Sequence, residues 1–245
     1  MIKSAFDKKG FTLVELLVSI GIFVIFLSVI SVSYIGIVRS QRQANEVRKM
    51  YSDVRSFVES ISEDMRLGTI DYDCYTGSAL SGIQLESAAS CPFDGTAGLS
   101  VGAIDPSQSP YLAIVNKDRT IKTVYWFDQD EGQLKVKKYQ RSQGGDNVDI
   151  VSWPEMPGYA SGDVGNDGNG SKILFSDRIK VNNATFAVNP PVNPYASVNY
   201  AKSQYQFQPK VTLTVSVANA APNVAPFHLD FQTTLSSRVY SRSSS

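Results

Sequence analysis

Histidine and cysteine are scarce: the 245-residue chain holds one and two of them. A structural zinc centre takes four such ligands, so zinc sites of that kind are excluded. Net charge is missing as well, with 23 Lys+Arg against 23 Asp+Glu. No overall field draws the chain to nucleic acid or anionic lipid, although a local patch can still do so. The sequence has no phosphate-binding glycine loop and no spacing that suggests a hydrolase. Neither an enzyme nor a cofactor is expected. What is present is an ordinary globular balance, 42% hydrophobic and 19% charged. That excludes a disordered or collagen-like chain and suits one or two domains.

The apolar density is concentrated at the N-terminus. Residues 11–38, FTLVELLVSIGIFVIFLSVISVSYIGIV, contain one charge, Glu15, and no proline. As a helix they span about 42 Å, more than a hydrocarbon core of ~30 Å. Gly21 and Gly36 are its only intrinsically weak points. A secretory signal peptide has a shorter apolar core followed by a small-residue cleavage site; this run is longer and no such site follows. A plain membrane anchor accounts for the length but leaves Glu15 at a cost of about 1–3 kcal/mol.

The string Lys8-Lys9-Gly10-Phe11-Thr12-Leu13-Val14-Glu15 resembles the processing site of type IV pilins and type II secretion pseudopilins. The resemblance implies that a prepilin peptidase cuts between Gly10 and Phe11 and methylates the new N-terminus at Phe11. The apolar helix is then kept. Glu15 takes the family's acidic position, and its natural partner is the Phe11 ammonium of a neighbouring subunit, since each charge alone is costly in hydrocarbon. Other pilin or pseudopilin subunits, the peptidase, an inner-membrane platform protein and an assembly ATPase are the partners implied. Basic residues flank both ends of the run, so the positive-inside count does not set orientation. The resemblance and the cysteines imply a single-pass protein of the inner or cytoplasmic membrane. Its N-terminus would be cytoplasmic and its head outside, before the subunit joins a filament.

Beyond the run, Val47, Met50, Tyr51, Val54, Phe57, Val58, Ile61 and Met65 recur at three- and four-residue steps. This is one apolar stripe on an amphipathic helix, with Gly68 as a C-terminal cap. Strands are expected at 111–116, 120–127, 133–140, 172–176, 179–188, 210–218 and 227–236, from period-two patterning and turn residues. The fold class is therefore α+β: a long N-terminal helix, apolar then amphipathic, packed on an antiparallel β-sheet head. The division is a leader at 1–10, a membrane or filament-core helix at 11–38, an amphipathic helix at 39–68 and an exported head at 69–245. The β-rich head looks like that of a minor pilin or a pseudopilin of the J type. The alternative is a membrane-anchored binding module whose head captures DNA, a surface or an exported substrate.

Three further sites are weighed. Cys74 and Cys91, in an exported domain, are most simply a disulfide that contributes up to about 3 kcal/mol. Asp163 and Asp167 lie in a Gly/Asn/Asp-rich stretch that faintly resembles a calcium loop, but the twelfth position is Leu174, and turn chemistry explains the composition equally well. Lys135, Lys137, Lys138 and Arg141 form a small basic cluster. It could track phosphate or simply protect a strand edge, and nucleic acid is not the expected partner.

Overall fold

The computed structural model describes residues 12–75, 108–143, 151–152, 154–160, 170–191, 193–194, 208–221 and 226–237. The architecture is α+β and pilin-like, with one long N-terminal helix followed by antiparallel sheets. Helix α1 is Leu13–Leu67. The chain divides into two units, residues 1–48 and 49–245.

In the first unit every residue from Thr12 to Ile37 is exposed. Leu13 is 81% exposed, and the row continues through Phe23, Phe26 and Ile37. Such a surface needs lipid or other helices around it. The serines of the run do not conflict with that. Ser19, Ser28, Ser31 and Ser33 each donate to the carbonyl four residues back, at 2.8–3.0 Å. Their hydroxyls are thus satisfied inside the helix, as an apolar medium requires.

The second unit begins within α1. Met50, Val54, Phe57, Ile61 and Met65 are its buried stripe. Each buried side chain of this size contributes roughly 1.5–3 kcal/mol as an upper estimate. The stripe meets a five-stranded antiparallel sheet ordered β1-β2-β3-β4-β7. Its strands are β1 Gly68–Ile70, β2 Tyr111–Asn116, β3 Ile121–Asp128, β4 Gln133–Gln140 and β7 Lys172–Ile173. Phe57 lies edge-on to Tyr125 of β3 and to Phe175 after β7. A second sheet, ordered β10-β9-β8, consists of β8 Ile179–Asn189, β9 Lys210–Asn219 and β10 His228–Ser236. It buries Val211, Leu213, Val215 and Val217 on one face, as the period-two pattern predicts. A small pair, β5 Ser142–Gln143 and β6 Val151–Ser152, completes the strands among the described residues.

All seven expected strands are present, with shifted ends in several. The segment expected at 172–176 is a strand of two residues. Only Lys135↔Ile173 and Val136↔Lys172 pair, and Phe175 beyond them is buried in the core. Gly68 is not a left-handed cap. It opens β1 and pairs with Asn116. A Cβ there would lie 2.6 Å from the Val115 carbonyl oxygen and 2.9 Å from that of Asp64, so glycine is required for close approach of the helix end to the sheet. The loop between β3 and β4 does need left-handed backbone, which Gly132 supplies at φ 63°.

Candidate processing and assembly site

Thr12 and Glu15 form a reciprocal cap at the start of α1. The Glu15 N–H donates to Thr12 Oγ1 at 3.3 Å, and Thr12 N–H donates back to Glu15 Oε2 at 3.2 Å. The Thr12 hydroxyl also donates to Oε2, at 3.3 Å. The Thr12 carbonyl accepts the first helical bond from Leu16. This is a capping box, in which two otherwise unsatisfied donors at the helix start are covered and a carboxylate sits at the positive end of the dipole. The Thr-x-x-Glu spacing is visible in the sequence, but reading Glu15 only as an intermolecular partner overlooks it. Gly10 and Phe11 lie outside the described residues.

A model of the prokaryotic N-terminal methylation motif matches residues 6–31. The chain carries a prepilin-type N-terminus. That motif is the mark of type IV pilins and pseudopilins, and it spans Gly10, Phe11, Glu15 and most of the exposed apolar run. Comparison with curated proteins and with solved structures returned no match. The motif implies assembly with other pilin subunits and handling by a prepilin peptidase, and the apolar helix is consistent with a single-pass membrane anchor.

Other charged groups are buried or paired within the second unit. Asp71, just past β1, holds Lys122 of β3 at 2.6 Å, and the lysine side chain is only 1% exposed. Cys74 Sγ lies 3.6 Å from Asp71 Oδ2 and 3.8 Å from Lys122 Nζ. Around this pair, the Tyr111 hydroxyl donates to the Cys74 carbonyl at 2.6 Å, and Tyr75 stacks on Tyr111 with centroids 5.1 Å apart. Burial pushes the Tyr111 phenol up to about 12, with the Asp71 charge adding to it. Burial likewise raises Tyr75 well above its ordinary value, against the hydrogen bond from the Ala113 N–H. No free cysteine occurs among the described residues; Cys91 lies outside them.

On the other face of β3, the Tyr125 hydroxyl donates to Asp64 of the helix at 2.7 Å. Burial, and then the Asp64 charge, push that phenol up. Asp53 accepts from the Ser176 hydroxyl at 3.0 Å. Two carboxylates of the amphipathic helix are therefore bound to the sheet side of the head, in addition to its apolar stripe.

Three of the four residues of the basic cluster are paired, and Arg141 makes no side-chain ion pair or hydrogen bond among the described residues. Lys135 is 3% exposed and bridges Asp128 and Glu131, each at 2.9 Å. Lys137 pairs with Glu155, and Lys138 lies 3.6 Å from Asp64. Burial pushes the Asp128 carboxyl up, but the Lys135 hydrogen bond and charge and the N–H groups of Glu131 and Asp130 outweigh it and hold the group below its ordinary value. Asp163 and Asp167 lie outside the described residues. Among the described residues no group of three or more His, Cys, Asp or Glu could hold a metal ion.

Proposed function

We propose that this chain is a minor pilin or a J-like pseudopilin, a structural subunit of a type IV pilus or a type II secretion pseudopilus. The observation that carries the reading is the methylation motif at residues 6–31 lying on the part of the helix, residues 13–37, whose apolar side chains are all exposed. A single anchored protein gains from such a surface only in lipid. A filament subunit uses the same surface twice, first against lipid and then against copies or relatives of itself.

The steps follow from the chemistry. Prepilin peptidase cuts Gly10–Phe11 and methylates Phe11, which leaves a cation at the start of the helix. The mature N-terminus stays cytoplasmic and the head, residues 69–245, stands outside. The platform protein and the assembly ATPase then drive extraction into the filament. There Glu15 receives the Phe11 ammonium of a neighbour, because both charges are costly unless paired. Its carboxylate has acceptor capacity beyond the two bonds from Thr12, so the cap and the intermolecular pair are compatible. Cys74 joins Cys91, stapling the segment that leaves the buried Asp71–Lys122 pair.

The test is the mature N-terminus. Co-expression with a prepilin peptidase followed by mass spectrometry should yield a chain that begins with N-methylated Phe11, and Gly10→Val should block the cut. An intact Met1 or a start beyond residue 30 overturns the reading.

A further inference from the structure

The apolar run ends at Val38, and the next charges are Arg39 and Arg42. Both are exposed, and neither makes an ion pair or hydrogen bond among the described residues. They are three residues apart, so they share one face of the helix. Their depth follows from helix geometry. If the Thr12–Glu15 cap sits at one boundary of the hydrocarbon, a core of ~30 Å consumes about twenty residues, from Leu16 to Ile35. Tyr34, 66% exposed, then lies at the opposite boundary, the level that tyrosines favour.

Arg39 comes about 6 Å beyond Ile35 and Arg42 about 10 Å beyond it. The headgroup layer on each side is about 5–7 Å thick. Helical side chains lean toward the helix N-terminus, which here is toward the bilayer. The Arg42 guanidinium therefore reaches back into the same layer as that of Arg39. Arg48, about 20 Å beyond Ile35, is out of reach.

We infer that Arg39 and Arg42 bind the phosphates of anionic lipid headgroups in the leaflet at the head side of the apolar run. This rests on the membrane-spanning reading above. Two planar, permanently charged groups adjoining a lipid-facing helix match phosphate in both charge and fork geometry. They fix the helix at one depth before assembly, and extraction into a filament must break these contacts.

The test is lipid selectivity by electron spin resonance. The full chain is placed in phosphatidylcholine vesicles with trace spin-labelled phosphatidylglycerol or phosphatidylcholine, and the motionally restricted fraction of each label is measured. The wild type should prefer phosphatidylglycerol about fivefold per arginine at low salt. The preference should shrink at about 1 M salt, where screening acts over ~3 Å. Arg39→Gln/Arg42→Gln should lose the share that the arginines supply, Arg39→Lys/Arg42→Lys, which keeps the charge but not the planar fork, should retain part of that share, and Arg48→Gln should match the wild type. Lys3, Lys8 and Lys9 are common to all forms, so the differences report the arginines. Equal restriction of the two labels, or a preference unchanged in the double glutamine variant, overturns the inference while leaving the membrane span intact. Absence of any restricted lipid overturns both. A double variant with unchanged lipid selectivity but reduced filament incorporation also overturns it and assigns the arginines to a neighbouring subunit.

Discussion

Replacing Lys122 by methionine removes the cation from the buried pair and leaves Asp71 facing the same surroundings alone. The lysine is 1% exposed and the aspartate 11%, and their charged atoms are 2.6 Å apart. Methionine fills most of the volume, so the loss is electrostatic and not a cavity. Breaking one side of a buried pair costs about 3–5 kcal/mol, a large part of the roughly 5–15 kcal/mol that holds a domain together. Removing both charges should cost much less, because no uncompensated group is left. The assay is urea unfolding of the full chain in a non-ionic detergent, followed by tryptophan fluorescence. Trp126 sits in the same strand as Lys122 and is buried. Lys122→Met should lower stability by about 3–5 kcal/mol and Lys122→Met/Asp71→Leu by distinctly less. A single variant within about 1 kcal/mol of wild type, or a double variant worse than the single, refutes the argument that the pair is a desolvated unit.

Four other outcomes are expected. Glu15→Gln preserves the capping geometry but removes the charge; membrane insertion and processing should persist while filament incorporation falls, and normal incorporation would refute the pairing with Phe11. A non-reducing peptide map of exported material should link Cys74 to Cys91, and two free thiols there would remove the staple. The lowered Asp128 group stabilises the head above its unfolded value of about 3.9, and that contribution is lost as pH falls through the folded value. The stability gap between wild type and Asp128→Asn should therefore be constant above about pH 5 and close in acid. Tyr111 has the opposite sign: its folded value is raised to about 12, so its contribution is complete below about pH 10 and lost on raising pH toward 12. The part of the absorbance rise at about 295 nm that Tyr111→Phe removes should appear together with unfolding and not ahead of it.

The helix and the strand set were legible in the sequence because both rest on local periodicity. Met50, Val54, Phe57, Ile61 and Met65 repeat at the helical step, and Val211 to Val217 at the strand step, and each pattern buries a single face. The N-terminal motif was legible for a different reason: it is one contiguous string, residues 6–31, that owes nothing to tertiary contacts. The strand pairing and the charge partners were not. β1 is three residues long, too short for any period, and Gly68 reads as a helix stop until the Val115 carbonyl behind it is known. Lys135 and Lys138 read as a basic patch because a sequence shows charges without their partners. The Asp128 turn and the Asp64 helix face, brought in by the fold, neutralise them. The Asp71–Lys122 pair joins residues from separate elements, and Coulomb attraction at 2.6 Å depends on a distance that only tertiary packing sets.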